Sequence, residues 1–158
     1  MNSLEIRKVS DETDLQRLRR FMLLQPQFYP GHGEWVEGKA IPRIESDQAE
    51  GLLVIQDGVV VGDAVYQKVS DPSAIELKNF RIDPGYKNRS IGHCLLRQVE
   101  VEGAALSRVE SGGLTIIADV STPNFNGVEF FIRNGFKITG MEELYLPGQA
   151  EYTLQKVV

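Results

Sequence analysis

The chain has 158 residues, 42% of them apolar and 25% charged, an ordinary balance for one folded unit with a buried core. At this length about 68–70% of the unfolded chain's surface leaves water, so no metal or disulfide staple is needed. Seventeen Lys and Arg against 22 Asp and Glu give a net charge of -5, which disfavours a nucleic-acid reader with its basic footprint. Cys94 stands alone, which excludes an intramolecular disulfide and a cysteine-based zinc site, and His32 and His93 are too few for a dedicated metal centre.

The residues from Met1 to Arg7 lack a signal peptide's apolar run, and runs such as Gly51 to Ile55 are too short to span a bilayer. The expectation is a reduced, cytoplasmic, single-domain chain over residues 1–158, with no membrane segment.

In chain order, Leu4 to Lys8 alternates apolar and charged residues as a strand does. Ser10 is the expected N-cap of a helix with Leu15, Leu18, Phe21 and Met22 on one face, ending near Gln25-Pro26. Residues 25–33 read as a loop, followed by a second helix from Glu34 towards Glu50 that is interrupted around Pro42. Leu52 to Gln56 and Val59 to Val65 flank Asp57-Gly58, a two-residue hairpin signal because both turn positions take positive φ. A strand from Ile75 to Ile82 follows. Ile91, Leu95, Val99 and Leu106 then mark a helix, with Cys94 on its apolar side. Leu114 to Ala118 is a buried strand, Phe125 to Arg133 a helix stopped by Asn134-Gly135, and Phe136 to Met141 and Glu151 to Val157 are closing strands. The order is β-α-α-β-β-β-α-β-α-β-β. Three consecutive strands before a helix exclude a simple doubly wound sheet and give an α+β class, with a mixed sheet of seven strands flanked by helices.

The strand ending at Ile82 and the strand at Leu114 can form a parallel pair with a right-handed crossover, and ligands favour the carboxyl ends of such strands. There lies Ile82-Asp83-Pro84-Gly85-Tyr86-Lys87-Asn88-Arg89-Ser90-Ile91-Gly92-His93. It joins a strand end to a helix start, where unpaired N–H groups and the positive dipole end attract anions. Small or turn-prone Asn88, Ser90 and Gly92 let a ligand approach, and Lys87 and Arg89 add positive charge. The combination suits a pyrophosphate, without matching a P-loop or a dinucleotide fingerprint.

These residues resemble the GCN5-related N-acetyltransferase (GNAT) family, whose acyl-CoA signature is Arg/Gln-x-x-Gly-x-Gly/Ala after a strand ending in Val-x-Pro. Here it reads Ile82-Asp83-Pro84, then Lys87 to Gly92, with Lys87 in place of Arg/Gln and Ser90 in place of Gly. A second family pattern, Asn before a helix reading Phe-Tyr-x-x-x-Gly-Phe, is matched by Asn124 and by Phe130-Phe131-Ile132-Arg133-Asn134-Gly135-Phe136. The element order agrees from Leu4 to Val157. The resemblance implies an acetyl-CoA (or other acyl-CoA) dependent N-acyltransferase acting on a primary amine of a small molecule or protein. It implies that the backbone of Phe80, Arg81 and Ile82 holds the pantetheine arm, that the loop from Lys87 to His93 holds the phosphates, and that Asn124 contacts the arm or caps its helix. Phe131 stands where many members have a Tyr that protonates the departing thiolate, and a phenyl ring donates no proton. Thiolate is a good leaving group, so acyl transfer can proceed without that acid; the alternative is a non-catalytic acyl-CoA-binding or regulatory module.

Glu76, on the strand leading into the loop, is a candidate base or water-orienting carboxylate, against a reading as a solvent-facing strand residue, and Asp119, at the carboxyl end of the following strand, is a second candidate. Tyr145 is a candidate replacement acid. Phe28, Tyr29 and Trp35, with nearby acidic residues, suit a cationic amine through cation–π contacts, or simply pack on the sheet. Nucleic acid is disfavoured as partner. The chain is a monomer or a homodimer, the latter through an exposed edge formed by Glu151 to Val157.

Overall fold

The structure is a computed structural model, which describes residues 3–25, 29–87, 90–108 and 113–158. Its strands are β1 (Leu4–Lys8), β2 (Glu50–Gln56), β3 (Val59–Lys68), β4 (Ala74–Ile82), β5 (Thr115–Ser121), β6 (Lys137–Leu146) and β7 (Gln149–Val157). They form one seven-stranded sheet in the order β1-β2-β3-β4-β5-β7-β6. Every neighbouring pair is antiparallel except β4 and β5, which are parallel. The α+β expectation and its element order hold.

The helices are α1 (Glu12–Leu24), α2 (His32–Trp35), α3 (Ile41–Glu45), α4 (Ile91–Ser107) and α5 (Phe125–Arg133). Asp11, not Ser10, caps α1: its carboxylate accepts from the Asp14 N–H at 2.8 Å. A π-helical stretch, Val36–Ala40, joins α2 to α3 and carries a bond from the Ile41 N–H to the Val36 carbonyl. Pro42 has no N–H to close a regular turn there, which accounts for the wide turn just before it. The second helix therefore starts earlier than the apolar spacing suggested and ends at Glu45.

Local chemistry sets the other joints. Asp57 and Gly58 take φ of 50° and 81°, the two positive values that the hairpin between β2 and β3 requires. Asn124 caps α5 by accepting from the Gly127 N–H at 3.0 Å.

The sheet separates two cores. On one face α4 and α5 bury Leu95, Leu96, Val99 and Phe131 against Ile75, Leu77 and Ile116. On the other, Leu15, Leu18 and Met22 of α1 and Ile41 and Ile44 of α3 pack on Leu53, Ile55 and Val65. Each such side chain contributes about 1.5–3 kcal/mol when fully buried. Cys94, expected on the apolar side of α4, is exposed; that helix buries Leu95 and Leu96 instead. The edge expectation is also corrected, because β7 is held between β5 and β6, and β6 is the outer strand. The β6–β7 register is interrupted twice, between Ile138 and Gly140 and between Glu142 and Leu146.

Candidate active site

A break in the alternation of β4 builds the site. Val65 pairs with Asn79 while the next residue, Tyr66, pairs with Leu77, so Lys78 is an extra residue on β4. Ile75 and Leu77 join the α4 core before the bulge, and Phe80 and Ile82 pack against it afterwards. Glu76, Asn79 and Arg81 consequently share the opposite face, the one covered by the start of α2. The bulge also ends the parallel ladder: β4 pairs with β5 only from Ala74 to Leu77, whereas β5 stays paired with β7 as far as Ser121. Beyond Leu77 the two strands part, leaving the β4 edge from Lys78 to Ile82 without a β5 partner. This opening can take an extended amide-bearing chain by main-chain hydrogen bonding.

A cavity of about 240 Å³ sits on that face, lined by Tyr29, His32 and Trp35 from the covering segment, by residues of β4, by Asp119 and by Tyr145. Five sequence candidates, Glu76, Asp119, Tyr145, Tyr29 and Trp35, are thus brought together; Phe28 lies outside the described residues. Asp119 accepts from the Thr153 hydroxyl at 3.0 Å and lines the cavity with Tyr145. Burial holds its carboxyl above the ordinary carboxylate range, opposed by the Thr153 bond. Partial burial and then the charge of Asp119 push the Tyr145 phenol up to about 12, although its residue is 52% exposed. Glu76 is tied to the Lys78 ammonium at 2.9 Å.

The covering segment is anchored from behind. The Tyr29 hydroxyl donates to the fully buried Glu151 at 2.8 Å, and its ring meets that of Tyr145 edge-on with centroids 5.5 Å apart. His32 is buried, with Nε2 3.2 Å from the Met22 carbonyl. A carbonyl only accepts, so Nε2 carries the proton. Burial, and then the Arg81 charge, lower the His32 pKa and keep the ring neutral.

Sequence reading did not single out Asp63. It is fully buried on β3, receives both Asn79 Nδ2 bonds at 3.0 and 2.8 Å, and stands opposite Arg81. The signal was one acid inside the apolar run Val59 to Val65. Desolvation raises its pKa to about 7. The unfolded carboxyl ionises near pH 4 and the folded one near 7, so this group removes stability as pH rises between those values; the cost is absent below them and stays at its full, constant size above them. Asp63→Asn should flatten that part of the stability profile, gaining a few kcal/mol on wild type at pH 8 and little near pH 4. Denaturant melts across this range check it; parallel curves for the two proteins would contradict it.

The anion loop begins with a 3-10 turn, Pro84–Tyr86, in which the Asp83 carboxylate accepts from the Gly85 N–H at 2.9 Å. Asn88 and Arg89 lie outside the described residues. Ser90 precedes α4 with φ 60° and ψ 9°, the left-handed conformation that glycine adopts freely, and its hydroxyl makes no capping bond. Ser90→Gly should therefore leave thermal stability unchanged or higher, while a β-branched Val there should cost about 1–2 kcal/mol. Gly92 is constrained by packing: an added Cβ would lie 3.0 Å from Phe130 Cε2. Exposed His93 has Nδ1 2.8 Å from Asn134 Oδ1. Phe131 lies in a ring cluster with Phe80, Phe130 and Phe136, its centroid 4.9 Å from that of Phe136, and does not line the cavity.

A model of the acetyltransferase (GNAT) family matches residues 17–136. The chain belongs to this family. Acyl-CoA is accordingly the cosubstrate and N-acyl transfer the reaction, and the non-catalytic alternative is not favoured. Solved structures share the GNAT fold over nearly the whole chain. A GNAT-family protein from Desulfovibrio desulfuricans superposes with a TM-score of 0.81 at 16% identity, covering 98% of this chain and 99% of that one. The PaiA N-acetyltransferase of Thermoplasma acidophilum, solved with coenzyme A, gives 0.71 at 23% identity, with 99% of each chain covered. The ribosomal-protein-S18-alanine N-acetyltransferase of Escherichia coli gives 0.72 at 17% identity, covering 100% of this chain and 94% of that one. No curated protein gives a significant sequence match. Among the described residues of this GNAT chain, no helix is long and apolar enough to cross a membrane.

Proposed function

We propose that the chain, as one acyltransferase domain, moves an acetyl group from acetyl-CoA to a small or terminal primary amine held in the cavity between β4, β5 and the covering segment. The observation that carries this reading is Asp119, a carboxylate held above its usual pKa beside the point where β4 and β5 part. The opened β4 edge at Phe80, Arg81 and Ile82 would hold the pantetheine arm. The N–H groups of Ile91, Gly92 and His93 at the start of α4, with Lys87, Asn88, Arg89 and Ser90, would hold the phosphates, and Asn124 and Phe131 border that side. Acetyl-CoA supplies an activated thioester. Asp119 takes a proton from the bound ammonium, freeing the nitrogen lone pair to attack the carbonyl carbon. Backbone N–H groups of the β4 edge stabilise the developing oxyanion. As the new C–N bond forms and the C–S bond breaks, Tyr145, in place of the family's tyrosine, gives its phenolic proton to sulfur and is reprotonated by the second proton that the nitrogen sheds; Asp119 passes the first to solvent. Glu76, neutralised by Lys78, shapes the cavity floor, and Tyr29 and Trp35 supply aromatic faces for the ammonium.

The cavity is smaller than the roughly 300–1,000 Å³ of pockets for drug-sized ligands, which supports a compact acceptor or the first residue of a peptide. The single cysteine and acidic surface support a cytoplasmic setting. Free-thiol release from acetyl-CoA across a panel of primary amines tests the reading. Turnover with compact amines is expected, and its absence across the panel would overturn it.

A further inference from the structure

The charges lining the cavity do not cancel evenly. Glu76 and Lys78 satisfy each other at 2.9 Å, and His32 is neutral. That leaves one anion, Asp119, hydrogen-bonded by the neutral Thr153 hydroxyl, and one cation, Arg81. Arg81 faces Asp63 across the β3–β4 ladder, but Asn79 makes the bonds to that carboxylate. Among the described residues no ion pair or hydrogen bond engages the Arg81 guanidinium. It is partly buried, and desolvation lowers its pKa, opposed by the charge of Asp63. A planar donor fork in a partly dry pocket matches a carboxylate, which it can bind through two parallel bonds.

We propose that Arg81 receives a carboxylate on the acceptor, so that the preferred substrates are primary amines carrying a carboxylate a few bonds from the reacting nitrogen. This rests on the acetyltransferase reading above and deepens it. The register gives the spacing. Leu77 lies beside Ala118, so Asp119 is one residue and Arg81 four residues beyond that pair, with Lys78 looped out on β4. The two side chains thus start about 7–10 Å apart along the strands at about 3.3 Å per residue. They then reach into the same 240 Å³ space. A zwitterion can lie between them with its ammonium towards Asp119 and its carboxylate towards Arg81. A free amino acid and the acidic second residue of a peptide offer the same chemistry.

The test uses matched pairs of acceptors: glycine and β-alanine against their amides, and a short peptide with aspartate at its second position against one with asparagine. Wild type should favour the carboxylate member by at least about tenfold in kcat/KM, and the pair that shows the preference identifies the source. Arg81→Gln should reduce that preference at least about tenfold, mainly through KM for the acid. Arg81→Lys, which keeps the charge opposite Asp63 and loses the fork, should fall between and guards against misfolding. Equal use of acid and amide by wild type, or an unchanged ratio in Arg81→Gln, would overturn the proposal. If no amine turns over, the acetyltransferase reading fails separately. Calorimetric binding of the same acids and amides to the CoA-loaded protein, wild type against Arg81→Gln, still decides the role of Arg81.

Discussion

Asp119→Asn is expected to lower kcat/KM for every accepted amine by about 10²–10⁴-fold, the usual contribution of a positioned general base. The substitution preserves shape: the amide oxygen can still accept from the Thr153 hydroxyl, which bonds Asp119 at 3.0 Å. What disappears is the capacity to take a proton from the ammonium. The pH profile separates this from simple loss of binding. Burial raises the Asp119 pKa, so wild-type activity should fall on the acid side at a pH above the ordinary carboxylate range, as the base becomes protonated. In Asp119→Asn that limb should vanish and leave only the limb set by the amine. A variant retaining most activity, or the same acid limb, would return the role to Glu76 or to water alone.

Phe131→Ala is expected to cost about 3–5 kcal/mol of folding stability, the range for emptying a buried aromatic site. At about 2–4 °C per kcal/mol for a chain of this size, the melting temperature should drop by about 6–20 °C. The ring is 6% exposed and touches three other phenyl rings, so its loss leaves a void bounded by β4, α5 and the start of β6. A loss below about 1 kcal/mol would show that the cluster closes over the gap. The position where the family pattern places a proton donor is thus spent on packing α5 to the sheet. The hydroxyls near the cavity carboxylate Asp119 come instead from Thr153, which donates to it, and from Tyr145, which lines the same cavity.

The strands and helices were legible because each carries its own local cause. The Asp57-Gly58 turn, the apolar face of α4 and the Asn124 cap could be read from side chains alone. The parallel pairing of β4 with β5 followed from the crossover rule. What escaped depends on long-range register. Nothing local to Ile75 through Ile82 marks Lys78 as the extra residue, yet that residue decides which of Glu76, Asn79 and Arg81 share a face. Arg81 was legible as backbone for the cosubstrate and not as a charged wall of the acceptor cavity. Asp63 looked like a break in an apolar run until its Asn79 partner appeared across the ladder. The position of β7 was misjudged for a related reason: sequence order puts it last, whereas the sheet inserts it between β5 and β6.

That insertion leaves β6 to face other molecules along one border of the sheet. Its ladder with β7 loses phase twice within ten residues, at Ile138/Gly140 and at Glu142/Leu146. A strand from another molecule that began pairing at Lys137 would meet misaligned donors and acceptors within one or two residues. Exposed Ile138, Met141 and Leu144 favour contact there, but no long uninterrupted template is offered. The irregular border thereby resists the in-register stacking by which exposed strands seed fibrils.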